Sequence, residues 1–334
     1  MPTESDRRLA ARLLCVGFGR SVVDDSLREM LREGVSGVIL FARNATTREG
    51  AGALVQAIKQ EARALGNPNI FASIDHEGGR VVRLSDGMTV VPPMREVGRA
   101  SHGLAEAARI GAIFARELRA ANFDLDFAPV VDVDSNPANP VIGTRSFSDD
   151  PAVVSACSSA FIGAMQSEGV AACAKHFPGH GDTDVDSHLD LPRLAHSIDR
   201  LRAIELPPFF AAVRAGVASI MTAHVVFDAI DPGVPATMSR DVIEGVLRNE
   251  IGFKGVVFSD DMEMGAIADR MGIGEASVRA ITAGVDCLLV CHRLDRQQEA
   301  IGAIADAIAS GRIARSRALE AVSRIDKLLE TYAR

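Results

Sequence analysis

The chain has 334 residues, 47% of them hydrophobic and 24% charged, with a formal net charge of -8 and a pI near 5.5. That is enough apolar sequence for a sizeable core, and the lack of any dense Lys/Arg block argues against nucleic acid as a partner. The opening MPTESDRRLAARLLCVGFG has no signal-peptide stretch, and no apolar run reaches the roughly eighteen residues of a membrane span, so a cytoplasmic protein without a membrane partner is expected.

In chain order, strand-like runs fall at 13–18 (LLCVGF), 37–41 (GVILF), 71–75 (FASID), 125–130 (LDFAPV), 171–175 (AACAK), 219–224 (SIMTAH), 255–260 (GVVFSD) and 286–290 (DCLLV). They read as continuous apolar runs, as for strands covered by helices on one face and by a packed interior on the other. Helical patterns separate most of them. Over 107–121, Ile110, Phe114 and Leu118 recur four apart. Over 152–165, Val153, Cys157, Phe161 and Met165 do the same, with Pro151 behind Asp149 and Asp150 as first-turn chemistry. Near the end, Val322, Ile325 and Leu329 form a stripe with Arg324 and Lys327 off it.

Eight strand-helix units without a Pro/Ser-rich linker predict an α/β fold, a (β/α)8 barrel forming a single domain over residues 1–334, in preference to a doubly wound open sheet. A monomer is the expected state. The five cysteines, Cys15, Cys157, Cys173, Cys287 and Cys291, are odd in number and mostly within apolar segments, which predicts reduced core thiols. Cys287 and Cys291, four apart on a strand-like run, sit too far apart to share a metal.

Chemistry gathers where the runs finish. The third ends in IDHEGGRVVRL, carrying Asp75, His76, Glu77, Arg80 and Arg83. Asp132 and Asp134 follow the fourth, then a loop leads to IGTRSF and Arg145. The fifth delivers Lys175 and His176, the sixth Thr222 and His224, the seventh Asp260 and Asp261. The segments entering strands, such as EGVSG and IGFKG, are plain. In a barrel this one-sided polarity marks a functional mouth.

The stretch KHFPGHGDTDVDSH (175–188) is the densest in titratable groups. His176 and His180 are expected to face together only on a helix, which Phe-Pro-Gly forbids, and no glycine stands where a calcium loop turns. GHG also lacks the Lys-Ser pair and helix of a P-loop. Neither a metal nor a cofactor is expected. Proton transfer fits better: in Asp186-Ser187-His188 a carboxylate stands two residues from an imidazole, which it would orient for giving and taking a proton. Asp260, ending VVFSD, is placed by a rigid strand for attack on an electrophilic carbon. Asp261 should point elsewhere and brace the loop or cap the next helix. Lys175, Arg83 and Arg145 would supply hydrogen bonds and keep Asp260 ionised. By physics alone, a sugar, an ester and a phosphate would all suit these donors.

Together KHFPGHGDTDVDSH, IDHEGGRVVRL, IGTRSF and VVFSDDMEM closely resemble the bacterial β-N-acetylhexosaminidases of glycoside hydrolase family 3, the NagZ type, over roughly residues 10 to 330. The chain's length is similar to that of the single-domain members. The resemblance implies retaining, exo-acting hydrolysis of terminal β-linked N-acetylglucosamine. In cytoplasmic members the substrate is a 1,6-anhydro-N-acetylmuramyl muropeptide, with or without peptide, released in cell-wall recycling. It implies Asp260 as nucleophile, His188 as general acid/base and Asp186 as its orienting partner. Asp75, Arg83, Arg145, Lys175 and His176 would hold the sugar. The loop bearing His188 is expected to move inward on substrate binding. A phosphorylase is the alternative, since some relatives use phosphate as acceptor; a metal-dependent barrel hydrolase and a non-enzymatic binding module are the remaining rivals. With no tryptophan and one tyrosine, Tyr332, the chain offers little stacking platform, which favours action on a single terminal sugar. Met262, Met264 and Phe177 are candidates to line the pocket.

Overall fold

The computed structural model describes residues 2–184, 191–268 and 270–333. Eight strands form a closed parallel barrel: β1 (Leu14–Val16), β2 (Gly37–Leu40), β3 (Phe71–Ile74), β4 (Leu125–Asp126), β5 (Ala171–Phe177), β6 (Ser219–Thr222), β7 (Val256–Asp261) and β8 (Cys287–Val290). They follow one another around the ring in chain order. β8 closes onto β1, with Leu14, Cys15 and Val16 opposite Leu288, Leu289 and Val290. Each predicted run thus supplies one barrel strand, and the open sheet is ruled out. A separate two-stranded sheet, Arg193–Leu194 with Val226–Phe227, was not foreseen.

The continuous apolar runs conceal an alternation. Val38, Leu40, Ala172, Ala174, Ile220, Val257, Leu288 and Val290 pack outward with the helices. Ile39, Phe71, Leu125, Cys173, Met221, Phe258, Cys287 and Leu289 pack with one another inside the ring. Phe258 meets Phe71 and Phe127 edge to face, centroids 5.9 and 5.2 Å apart, filling the interior. Gly37 makes room for this: a Cβ there would lie 2.2 Å from the Phe71 ring. The interior is therefore solid beneath its mouth.

The helices match their patterns. Gly103–Ala120 buries Ile110, Phe114 and Leu118. Pro151–Ser167 starts at Asp150, whose side chain accepts from the Ala152 N–H at 2.8 Å, with Pro151 in the first turn. It buries Cys157, Phe161 and Met165, while Val154 takes the buried place expected for Val153. Arg315–Tyr332 lays Ile325, Leu328 and Leu329 against the inner cluster, closing the end of the barrel opposite the mouth. All five cysteines are free and buried. Burial pushes the Cys15 and Cys173 thiols up to about 12.

The N-terminal side of the barrel is not as plain as its sequence suggested. Asp286, at the foot of β8, is fully buried and accepts from Arg248 Nη2 (2.6 Å), Arg317 Nη2 (2.6 Å), Arg324 Nη1 (2.9 Å) and the Val257 N–H (3.0 Å). Arg324, read as lying off the apolar stripe, is off it but turned toward this carboxylate. Asp124 beside β4 likewise binds Lys59 Nζ at 2.8 Å and the Ala72 N–H at 2.8 Å. These groups fasten helices to strand feet. Among the described residues no helix is long and apolar enough to cross a membrane.

Candidate active site

At the C-terminal ends of the strands a cavity of about 500 Å³ opens above the phenylalanine-filled interior. Inward alternation carries Phe71 and Ser73 on to Asp75, Cys173 on to Lys175, and Phe258 on to Asp260. Six residues expected from the sequence, Asp75, Arg83, Arg145, Lys175, His176 and Asp260, line this one space.

Strict alternation would turn His176 and Asp261 away. Register shifts prevent it. On β5, Lys175 pairs with Met221 but Phe177 with Thr222, so one extra residue is accommodated at His176. On β7, Phe258 pairs with Cys287 but Asp261 with Leu289, which places an extra residue at the Asp260 level. Such bulges re-aim side chains, and here consecutive residues both reach the cavity.

An ionic network covers one wall. Lys175 Nζ donates to Asp75 Oδ1 at 2.7 Å and lies 2.7 Å from Glu77 Oε1. Arg145 grips Glu77 with two parallel bonds, Nε to Oε2 at 2.8 Å and Nη2 to Oε1 at 2.7 Å. Arg83 Nη2 donates to the other Asp75 oxygen at 3.2 Å. Burial alone would push the Glu77 carboxyl up, but the charges of Arg145 and Lys175 overcome it and hold it well below the usual range. Burial likewise works against the Lys175 ammonium, and Asp75 and Glu77 more than restore it. Within this wall each carboxylate meets two cations, with Lys175 shared between them. A polyhydroxyl ligand would meet fixed donors and acceptors there rather than one free ion.

Asp260 Oδ1 accepts the Asp261 N–H at 2.8 Å. Burial raises its carboxyl; against that stand the His176 and His224 rings, the Asp261 N–H and Lys175, and the balance lies below the ordinary carboxylate value. The sequence reading assigned this task to Lys175, Arg83 and Arg145; the two arginines are instead committed to Asp75 and Glu77. Asp261 braces the end of β8 as expected. Its Oδ1 accepts from the Cys291 and Glu263 N–H groups, both at 3.2 Å, and Oδ2 lies 3.0 Å from His292 Nε2.

Asp132, with no exposed surface, receives the His176 and His180 N–H groups and faces His176 Nδ1 at 2.7 Å. His176 and His180 therefore do come together, ring centroids 5.8 Å apart. No helix is needed, because Phe177-Pro178-Gly179 folds the chain back and Asp132 clasps both residues. Burial pushes the His180 imidazole down to about 4. Asp182, further along the same stretch, is paired with His196 and Arg200.

Asp186 and His188 lie outside the described residues. Of the three side chains expected to line the pocket, Met264 does. Met262 is core, and Phe177 packs against Phe209 with centroids 5.0 Å apart. The aromatic group at the rim is instead Phe41, stacked on His292 at 5.7 Å with Arg43 over its ring at 4.2 Å. Glu77, Asp132, His180, Phe41 and His292 were not assigned to the site. Inward parity after β2 and β3 would have pointed to Phe41 and Glu77.

Comparison with known proteins agrees with this geometry. The family described as "Glycosyl hydrolase family 3 N terminal domain" matches residues 10–328. A β-hexosaminidase of Neisseria meningitidis is 39% identical over 284 residues, 83% of this chain and 77% of that protein. The structure of NagZ from Neisseria gonorrhoeae is 33% identical with a TM-score of 0.78, covering 95% of this chain and 97% of that one. A family 3 β-N-acetylglucosaminidase from a Paenibacillus species superposes with a TM-score of 0.95 at 40% identity. It covers 98% of this chain, which spans 62% of that longer protein. The chain belongs to glycoside hydrolase family 3 and is an enzyme of its β-hexosaminidase type.

Proposed function

We propose that this chain is a retaining, exo-acting β-N-acetylglucosaminidase that removes terminal N-acetylglucosamine from 1,6-anhydro-N-acetylmuramyl muropeptides during cytoplasmic peptidoglycan recycling. In this reading residues 1–334 act as one catalytic domain, as a monomer and without metal or cofactor. The observation that carries it is the Asp260 carboxylate, held ionised on a strand end and facing the same cavity as the Asp75–Lys175–Glu77–Arg145 network.

Asp75, Arg83, Arg145, Lys175 and His176 would hold the sugar hydroxyls so that the anomeric carbon lies before Asp260. Protonated His188, oriented by Asp186, would donate its proton to the glycosidic oxygen as that bond breaks. The Asp260 carboxylate attacks through an oxocarbenium-like transition state and forms a glycosyl ester. Neutral His188 then takes a proton from water, which opens the ester and regenerates the carboxylate. Because the nucleophile comes from the protein, the acetamide is a recognition handle and not the attacking group. Rigid positioning of an already ionised nucleophile is what the barrel contributes.

The test is turnover of a fluorinated N-acetylglucosaminide that deglycosylates slowly, with mass spectrometry of the trapped enzyme. A sugar ester on Asp260 is expected; a label elsewhere overturns the assignment. Products from a synthetic β-N-acetylglucosaminide and an anhydromuropeptide should be free N-acetylglucosamine with or without phosphate. A sugar 1-phosphate would identify a phosphorylase instead.

A further inference from the structure

The roles given above to Asp260 and His188 leave aside a carboxylate one layer behind the cavity wall. Asp132 follows β4, has no exposed surface, and spends both oxygens on the end of β5 and the turn after it. Its Oδ1 accepts the His180 N–H at 2.7 Å, the His176 N–H lies 3.2 and 3.1 Å from its two oxygens, and Oδ2 is 2.7 Å from His176 Nδ1. An ionised carboxylate only accepts, so the proton in that last bond is on Nδ1. Across the same ring, Nε2 stands 3.5 Å from Arg145 Nη2, and a guanidinium only donates. Asp132 therefore fixes the ring, while Arg145, too distant for a full hydrogen bond, leaves the Nε2 lone pair open toward the cavity.

We propose that Asp132 is a positioning residue that holds His176 as the neutral Nδ1–H tautomer, so that Nε2 presents a lone pair to a hydroxyl of the bound sugar. The proposal rests on the cavity being the sugar site. Charged and titratable groups surround the ring: Asp132 from the segment after β4, Arg145 from its 3₁₀ turn, His180 from the following turn and Asp260 from β7, with Lys175 the preceding residue. The Arg145 guanidinium beside Nε2 stands against a second proton there, which leaves Nε2 its lone pair. His176 then supplies a neutral acceptor beside the carboxylates Asp75 and Glu77, which are already committed to Lys175, Arg83 and Arg145. The same carboxylate fixes the backbone of His180, so the sugar wall and the start of the segment bearing Asp186 and His188 share one anchor.

Asp132→Asn is the discriminating variant. It keeps an oxygen for the two backbone N–H groups but offers an amide NH₂ to Nδ1, which drives the ring to its Nε2–H form against Arg145. With ¹⁵N-histidine enzyme, and His176 assigned by its loss in His176→Gln, the native signal at neutral pH should show a protonated Nδ1 and a bare Nε2. Asp132→Asn should reverse them and lower kcat/KM on an aryl β-N-acetylglucosaminide roughly 100-fold, mainly through KM. Asn139→Ala is the control. Asn139 Nδ2 binds the His180 carbonyl at 2.8 Å and Thr183 Oγ1 at 3.1 Å, so its loss loosens the same turn while the His176 tautomer stays native. A native His176 protonated on Nε2, or doubly protonated across the neutral range, overturns the proposal even if Asp132→Asn does not fold. So does an unchanged tautomer in the folded variant. Absence of sugar hydrolysis in the native enzyme would instead overturn the functional reading, and the tautomer measurement would still stand.

Discussion

The two ends of the barrel use the same chemistry to opposite purpose. At the foot, one carboxylate, Asp286, is surrounded by three guanidiniums and a backbone N–H in a sealed space. At the mouth, Asp75 and Glu77 share Lys175 and divide Arg83 and Arg145 between them, and the cluster borders a cavity of about 500 Å³. Asp260, Asp261 and Glu263 also line that cavity, so its carboxylates outnumber its lysine and arginine cations, Lys175, Arg83 and Arg145. At the foot Arg317 and Arg324 also reach Glu320, and Asp286 itself is fully buried. Buried ions alone therefore do not mark a site. What distinguishes the mouth is the open volume beside its ions.

The comparison breaks most decisively at Asp260. Asp260→Ala should lower kcat by about 10⁴-fold or more while leaving the thermal midpoint within a few degrees of native; retained turnover would remove the mouth's claim to chemistry. Asp286→Ala is the mirror experiment. Stranding buried guanidiniums should cost about 3–5 kcal/mol in urea unfolding, with kcat/KM of the folded fraction unchanged. A variant that instead lost activity at native stability would erase the distinction between the ends. Lys175→Met should show both effects: about 2–3 kcal/mol of lost stability, from leaving Asp75 and Glu77 short of a partner, and a roughly 100-fold lower kcat/KM.

Acid sharpens the contrast further. Burial pushes His76 and His180 down from 6.5 to about 4. The unfolded chain therefore binds these protons first. The stability they contribute is complete above pH 6.5 and is withdrawn as pH falls toward 4, by about 3 kcal/mol for each group. Urea midpoints across that interval should slope downward, and His76→Gln should flatten the slope. The smallest effect belongs to the barrel's outer surface. Arg312→Ala removes an exposed pair with Glu275, and its melting midpoint should be indistinguishable from native.

The strands were legible because their apolar runs are local, and so were the helix starts, whose capping residues are neighbours in sequence. Asp260, Asp75 and Lys175 were legible for the same reason: each ends such a run. The partnerships were not. Asp132 meets His176 across forty-four residues, and Arg317 meets Asp286 across thirty-one. No local pattern encodes which arginine will reach which carboxylate. The register shifts on β5 and β7 were equally hidden, since an extra residue at His176 looks like any other strand residue until its neighbour β6 is in place. The expectation that His176 and His180 stay apart failed on this point: it considered the helix as the only way to align side chains four apart. The short sheet of Arg193–Leu194 with Val226–Phe227 was missed because two-residue strands carry no periodicity.

The cysteines give this enzyme an internal clock. All five are buried, four of them in or next to barrel strands and Cys157 on an outer helix. A thiol reagent should therefore react at a pace set by the opening of the protein rather than by its own chemistry. Mass spectrometry after a labelling pulse would then reveal which strands part first, with no foreign probe introduced.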